Sequence, residues 1–280
     1  MVKAWICTLS VCACGHTGPI LTLEERGDAT TVVDAPASAA FDSSVFDADA
    51  MEGAAQDSGS PPSDADALES ADATEGDARD SGPPLALVLV DVTAPSHADD
   101  PDLEARLVGL GFAVAERTYT SAISPSDDAD LIVVSSSAEA AGLDPGLANQ
   151  AVPVVVLESF TYGTLGMTGP LQNQDFGVVN EATVDIVDPG VADLPDGSVN
   201  VYSQPVALNF GLPAPSALVI ARVPGSPNQV STFGYATGDM MASQVAPARR
   251  VGVFLRTGTI GSATPEGWLL FDSAVRWAVQ

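Results

Sequence analysis

Positive charge is the scarcest property of this sequence. Its 280 residues include 10 Lys and Arg against 37 Asp and Glu, which gives a net charge of −27, and Lys3 is the only lysine. No basic cluster is longer than Arg249-Arg250, whereas a protein that binds nucleic acid needs a basic face to displace counterions. We therefore expect no nucleic-acid partner and no direct attraction to anionic headgroups.

Cysteines and long apolar runs are missing from most of the chain. All three cysteines, Cys7, Cys12 and Cys14, lie within residues 1–14. The remainder therefore has no disulfide, no cysteine nucleophile and no thiolate metal site. The sequence contains no apolar run of about 18 residues, so it predicts no segment that spans a bilayer.

Residues 1–14 have the features of an export signal. Lys3 precedes a short apolar stretch and then small residues, as in secretory signal peptides. Val11-Cys12-Ala13-Cys14 resembles the bacterial lipobox, which implies cleavage before Cys14, acylation of its thiol and a membrane as partner through the lipid anchor. Gly15 follows in place of Asp, which in Gram-negative lipoproteins favours the outer membrane. An ordinary signal peptide with a chance cysteine is the alternative.

Residues 15–83 are predicted to form an acidic, disordered tether. The part from Asp34 to Pro84 consists mainly of Ala, Asp, Ser, Gly and Pro, with no helical or strand periodicity. Such a segment cannot bury enough apolar surface to offset its ordering entropy. A flexible coil of this length would span roughly 45 Å, and like charges would extend it. The acidic residues do not have the spacing of a calcium-binding loop.

Residues 84–280 are predicted to form one α/β domain. The run Leu85–Asp91 is continuously apolar up to its last residue, as expected for a strand buried on both faces of a parallel sheet. Asp100 is expected to cap a helix that has Pro101 at its first position. Three further strands are predicted at 112–118, 131–134 and 152–157, with a short helix within 138–150. This alternation predicts a flavodoxin-like, doubly wound sheet.

The second half of the domain is predicted to add strands to this sheet, at 182–187, 199–202, 217–223, 230–235 and 251–255. The chain closes with a helix that is capped by Thr264 and has Pro265 at its first position. Trp268, Phe271 and Val275 belong to its apolar stripe.

Three stretches, at 131–137, at 152–158 and at 249–255 with 267–277, carry a family resemblance. Together they resemble the class I glutamine amidotransferase-like superfamily, and within it the trehalose-utilisation-like (ThuA-like) branch. Leu131–Ser137 is similar to the strand and small-residue loop that precede the nucleophile elbow. Val152–Glu158 is similar to the elbow strand, which in amidotransferases delivers a catalytic cysteine. Arg249–Leu255, with Gly267–Trp277, is similar to the last strand and helix of ThuA-like proteins.

The chain also departs from that family. Glu158 stands where an amidotransferase has its nucleophile, and Val156 and Phe160 replace the glycines of the sharp turn. No histidine follows His97, and Arg256-Thr257-Gly258 occupies the place where ThuA-like proteins often have one. A Cys-His-Glu glutaminase is therefore excluded, because the residues for these roles do not exist.

Candidate site residues follow from the rule that ligands bind outside the carboxyl ends of the strands in an open α/β sheet. The polar side chains that meet this condition are Asp91, Ser96, His97, Ser135, Ser136, Glu158, Tyr162 and Arg256.

Glu158 is the sharpest candidate, because burial at the elbow could raise its pKa toward that of a useful base. His97 or Asp91 could act with it as a second acid/base group. Ser135, Ser136, Tyr162 and Arg256 are the candidate ligand-binding residues.

Each of these residues also has a structural interpretation. Asp91 could cap its loop, the serines could satisfy backbone groups, His97 could be solvated, and loop N–H groups could hold Glu158. Phe160 and Tyr162 could form a shelf on which a sugar stacks, or could belong to the core. We expect no metal site and no cofactor, since one histidine and scattered carboxylates do not form a metal-binding cage.

Two functions fit these observations. The first is a non-catalytic envelope lipoprotein whose domain binds a glycan or another envelope component. The second is a hydrolase acting on carbohydrate or a related small molecule through Glu158 with Asp91 or His97. The sequence does not indicate the oligomeric state.

Overall fold

The structure is a computed structural model that describes residues 82–123 and 128–280. The signal segment, the lipobox with Cys14 and the predicted tether up to residue 81 lie outside the described residues. Within those described ranges, no helix has the length and apolar character needed to cross a membrane.

The parallel half of the sheet is built from the apolar runs of the sequence. Strand β1 (Leu85–Val90) lies between β2 (Ala113–Thr118) and β3 (Leu131–Val134), and β3 pairs with β4 (Val154–Val156). Strand β11 (Arg250–Gly252) completes this part by pairing in parallel with β4. The resulting order β2-β1-β3-β4-β11 is the flavodoxin-like order with β11 as the fifth strand, which confirms the predicted fold class.

The second half adds antiparallel strands to the sheet. They are β5 (Phe176–Glu181), β6 (Thr183–Ile186), β7 (Gly197–Asn200), β8 (Val206–Gly211), β9 (Leu218–Arg222) and β10 (Val230–Tyr235). Four of them, β6, β7, β9 and β10, lie where the sequence predicted extra strands. The sheet continues in the order β11-β10-β9-β6-β7. Strands β5 and β8 were not predicted, and they pair with each other along their whole lengths.

The helices agree with the sequence in part. Helix α3 (Pro265–Ala278) begins as predicted, because the Thr264 hydroxyl accepts a hydrogen bond from the Gly267 N–H at 3.0 Å. The prediction that Asp100 caps the first helix is wrong. Helix α1 (Asp100–Gly109) has Asp99 at the cap position, and the Asp100 carboxylate binds side chains of another segment.

One predicted helix is absent, and one short helix was not predicted. The helix predicted within 138–150 is wrong, because this stretch contains two 3₁₀ turns, Ala140–Gly142 and Pro145–Asn149. Pro145 and the glycines at 142 and 146 disfavour a continuous α-helix there. Helix α2 (Pro189–Ala192) is a single turn between β6 and β7.

Both faces of the inner parallel strands β1, β3, β4 and β11 are buried, whereas the edge strand β2 is partly exposed. Val88 shares one hydrophobic cluster with Leu107 of α1 and Phe271 of α3, whereas Leu87 faces a second cluster that includes Leu147 and Leu165. Successive residues of a strand point to opposite faces, so one apolar run serves both clusters. The carboxyl ends of the strands are thereby held in fixed positions, and the candidate site lies on them.

Candidate functional site

A groove of about 490 Å³ lies at the carboxyl ends of β3 and β4. Its walls come from the segment after β1, the segment after β3 and the residues that follow β4. The lining residues are Ala94, Pro95, Ser96, Ser136, Ser137, Ala138, Glu139, Ala140, Ala141, Glu158, Phe160 and Gln172. Three of the predicted site residues, Ser96, Ser136 and Glu158, therefore do line one groove.

Glu158 and Arg256 form an ion pair at this edge. Nη2 of Arg256 donates to Oε2 of Glu158 at 3.0 Å, and Nη1 donates to Oε1 at 3.2 Å. Oε1 also accepts the backbone N–H of Phe160 at 3.0 Å. The side chain of Glu158 is 5% exposed and that of Arg256 is 19% exposed. The carboxylate thus lies nearly buried, with hydrogen bonds to both of its oxygens.

Two opposed effects act on the pKa of Glu158. Burial raises the pKa because it disfavours the charged carboxylate, while the nearby charge of Arg256 and the hydrogen bond from Phe160 lower it. Burial is the larger effect, so the pKa lies above its ordinary value. The direction is the one expected from the sequence, but the cation beside Glu158 was not expected.

Asn209 on β8 fixes the arginine from the other side. Its side-chain oxygen accepts from Nη1 of Arg256 at 3.0 Å. Its side-chain nitrogen donates to the carbonyl groups of Leu157 at 2.8 Å, Val253 at 3.2 Å and Leu255 at 3.1 Å. The sequence analysis missed Asn209. The signal for it was an amide inside the apolar run Val206–Gly211, where a buried polar group must find partners.

A second polar cluster surrounds the fully buried carboxylate of Asp100. Oδ1 accepts the Ser135 hydroxyl at 2.5 Å, Oδ2 accepts the Ser137 hydroxyl at 2.9 Å, and Nδ1 of His97 lies 2.9 Å from Oδ2. The hydrogen bond with Asp100 raises the pKa of His97 above its ordinary value. His97 therefore has a specific carboxylate partner, but that partner is Asp100 and not Glu158.

Ser136 and Thr257 join the loops after β3 and β11. The N–H of Thr257 donates to the Ser136 hydroxyl at 2.6 Å, and the N–H of Ser136 donates to the Thr257 hydroxyl at 2.9 Å. These reciprocal bonds satisfy the backbone N–H groups of both residues and occupy both hydroxyl groups. Ser135, the other predicted ligand-binding serine, is fully buried beneath them.

Asp91 follows the last residue of β1, and its carboxylate accepts hydrogen bonds from its own loop. Its Oδ1 accepts from the backbone N–H of Thr93 at 2.8 Å and from the Thr93 hydroxyl at 2.7 Å. These hydrogen bonds lower the pKa of Asp91. In the part of the chain that the structure describes, Glu158, Asp91 and His97 have different hydrogen-bond partners, and no hydrogen bond joins any two of the three.

The two aromatic residues after Glu158 are separated by the fold. Phe160 lines the groove, packs edge-on against Phe176, and lies 5.8 Å from the Arg256 guanidinium, measured to the ring centroid. Tyr162 is fully buried, with its ring against Phe233 and its hydroxyl donating to the Val253 carbonyl. Of the two, Phe160 is therefore the one placed to contact a ligand in the groove.

Metal ligands do not cluster in the described part of the chain. Residues 82–123 and 128–280 contain no group of three or more His, Cys, Asp or Glu side chains arranged to hold an ion. The chemistry that the groove offers is therefore that of hydroxyl groups, one amide, an aromatic ring, the exposed Glu139 and the Glu158–Arg256 pair.

Comparison with known proteins gives similarity at the level of the fold. No protein-family model matches the chain, and no curated protein matches it. Among solved structures, a protein described as a GMP synthase subunit, from Thermoplasma acidophilum, is 13% identical, with a TM-score of 0.48, 70% of this chain covered and 94% of the other.

Two further solved structures are similar to this chain at the same level. A glutamine amidotransferase from Thermotoga maritima is 11% identical, with a TM-score of 0.45 and coverage of 71% and 100%. A ThuA-like protein from Parabacteroides merdae is 9% identical, with a TM-score of 0.45 and coverage of 71% and 91%. These neighbours include glutamine amidotransferase-like and ThuA-like proteins, as the resemblance implied, and similarity this low carries no information on activity.

Proposed function

We propose that this protein is a lipid-anchored envelope protein whose α/β domain binds a small hydroxyl-rich ligand, such as a glycan fragment, without catalysing its conversion. The observation that carries the proposal is the ion pair between Glu158 and Arg256. The pair stands at the strand end where the resemblance implies a nucleophile, and its carboxylate member, Glu158, lines the groove.

The contacts of Glu158 favour binding over catalysis. A general base must accept a proton from a substrate or a water, which requires an accessible lone pair. Both carboxylate oxygens already accept hydrogen bonds, and the side chain is 5% exposed. The His97 imidazole, which could supply a second acid/base group, is hydrogen-bonded to Asp100.

The lining of the groove favours a neutral or weakly charged polar ligand. Ser96 offers a hydroxyl group, Gln172 offers an amide, and Phe160 offers an aromatic face, whereas the hydroxyl groups of Ser136 and Ser137 already bind neighbouring residues. The charges of Glu158 and Arg256 compensate each other, and Glu139 adds a negative charge that repels anions. Binding sites that combine apolar walls with a few fixed polar groups are typical of small-molecule recognition.

A ligand screen tests the proposal. Glycans and cell-envelope fragments are titrated calorimetrically into the purified protein. Phe160→Ala and Gln172→Ala should each weaken any binding by about tenfold or more, because each removes a contact at the groove. Gln174→Ala is the matched control, since Gln174 is equally exposed but does not line the groove. Affinity that is unchanged in both Phe160→Ala and Gln172→Ala would contradict the assignment of the groove as the binding site.

A carbohydrate hydrolase is the second candidate. The raised pKa of Glu158, caused by burial, favours it. The discriminating measurement is turnover: if Glu158 is an acid or base, release of reducing sugar by the parent protein should be lost in Glu158→Gln. If the parent protein binds a glycan and releases no product, the binding function is supported.

A further inference from the structure

The Asp100 carboxylate is paired with two hydroxyl groups and one histidine. It is fully buried, accepts hydrogen bonds from Ser135 and Ser137, and lies 2.9 Å from Nδ1 of His97. The cation that can pair with it in this cluster is thus an imidazolium, which holds its charge only while it is protonated. An ionised carboxylate only accepts hydrogen bonds, so Nδ1 of His97 carries the hydrogen of this contact.

The same cluster connects the segments that form one wall of the groove. The Ser137 hydroxyl accepts from the Asp91 N–H at 3.2 Å, and the Ser135 hydroxyl lies 2.8 Å from that of Thr257. Ser137 lines the groove, as does Ser96, which directly precedes His97. The buried carboxylate therefore ties together the loop after β1, the start of α1, the loop after β3 and the loop after β11.

A buried carboxylate is stable only when hydrogen bonds and an opposite charge compensate its lost solvation. The side chain of His97 is 27% exposed, so solvent can exchange its proton, while Asp100 remains inaccessible. We infer that His97 is a proton-dependent latch. Its imidazolium compensates the negative charge of Asp100 and so keeps the loops of the groove wall in contact, and loss of the proton weakens the contacts between these loops. The consequence for ligand binding rests on the proposed function of the groove, whereas the latch itself does not.

The carboxylates around His97 all favour its protonated form. The hydrogen bond with Asp100 raises the pKa of His97, and the carboxylates of Glu116 and Glu104 add to this. Asp91 also interacts with the imidazolium, since His97 lowers the pKa of Asp91. Because the pKa is raised on folding, the stabilisation is complete below the ordinary histidine pKa and is lost as the pH rises through the shifted value.

Hydrogen exchange in the protein without ligand tests the latch. The amides of Asp91 and Ser137 donate to side chains of the cluster. Their protection factors, corrected for intrinsic exchange, should fall by about threefold or more between about pH 5.5 and about pH 8.5. The amide of Val155 in β4 is the internal reference and should keep its protection. A histidine NMR titration should place the His97 pKa above its ordinary value.

Three variants separate this latch from other titrations. His97→Asn should give low protection that does not depend on pH, whereas His16→Asn, which removes the other histidine, should behave like the parent. Glu104→Gln should retain the pH dependence, because that carboxyl is not part of the hydrogen-bonded cluster. Equal protection at both pH values in the parent protein, or pH dependence that persists in His97→Asn, would overturn the inference. If His97→Asn does not fold, the parent's protection factors and NMR titration decide. A failed ligand screen would affect only the proposed function.

Discussion

The Arg256 guanidinium lies 3.0 Å from the Glu158 carboxylate at the point where β11 and β4 end side by side. Replacing Arg256 by Gln leaves a nearly buried carboxylate without its cation. We expect the free energy of unfolding to fall by about 2–4 kcal/mol, somewhat less than for a fully buried pair because Arg256 keeps some exposure. Urea denaturation of the parent and the variant measures this change.

A double-mutant cycle supplies the control. Glu158→Gln combined with Arg256→Gln should cost less than the sum of the two single changes, because neither charge is then left unpaired. Strict additivity would show that the two side chains do not depend on each other and would contradict the described geometry.

Asn209 is expected to matter for stability more than its single amide suggests. Asn209→Ala removes two N–H donors, which are shared among three carbonyl groups, and one acceptor for Arg256. A loss of about 2–4 kcal/mol is expected, since buried carbonyl groups would be left with fewer partners. Asn180→Ala, at an exposed position of β5, is the matched control and should change stability by less than about 0.5 kcal/mol.

The pairing of Arg106 with Asp272 should depend on the shape of the guanidinium. Nε donates to Oδ1 at 2.7 Å and Nη2 donates to Oδ2 at 2.6 Å, which joins α1 to α3. Arg106→Lys keeps the charge but loses one of the two parallel bonds, so we expect a cost of about 1 kcal/mol. Arg276 lies 3.8 Å from the same carboxylate and is more exposed, and Arg276→Lys should cost less than about 0.5 kcal/mol. Equal effects in thermal denaturation would contradict this distinction.

Glu104 should make stability depend on pH near neutrality. Burial raises its pKa to about 7, with further contributions from its hydrogen bond and charge interaction with Glu116. Because the folded-state pKa exceeds the unfolded one, this contribution is present at acidic pH and is lost as the pH rises through about 7. Glu104→Gln should therefore flatten the stability profile between about pH 5 and about pH 8, measured by urea denaturation. An unchanged slope would argue against the shifted pKa.

The lipid anchor is tested by the mass of the exported protein. Acylation at Cys14 should add the mass of the acyl chains and place the protein in the membrane fraction. Cys14→Ala should abolish both, whereas Cys12→Ala should leave the acylated residue in place. An unmodified chain in the parent strain would refute the lipobox interpretation.

Strands formed from continuous apolar runs could be predicted, because such runs are buried on both faces whatever the register. Leu85–Val90 and Leu131–Val134 were predicted within one residue of their ends. Strands β5 and β8 were missed, since each includes glycine and asparagine and is stabilised mainly by pairing with the other. Such strands depend on a partner that local patterns do not identify.

The sequence predicted which residues lie at the candidate site but not which of them contact each other. Glu158 and Arg256 were both proposed as site residues, but their contact spans 98 positions of the chain. Asp100 was interpreted as a helix cap because it precedes a proline, while its actual donors, Ser135 and Ser137, lie on another loop. The side-chain environment that decides between a base and a neutralised carboxylate exists only after the sheet has assembled.

The direction of β1 separates the groove from the start of the domain. Strand β1 runs parallel to β3, β4 and β11, so the chain enters at Gly82 on the amino edge of the sheet, while the groove opens at the carboxyl edge. The two edges are separated by the length of a six-residue strand, about 20 Å. The mouth of the groove therefore lies at the opposite edge of the sheet from Gly82, so a ligand can reach Phe160 and Ser136 without passing the residues that lead into β1.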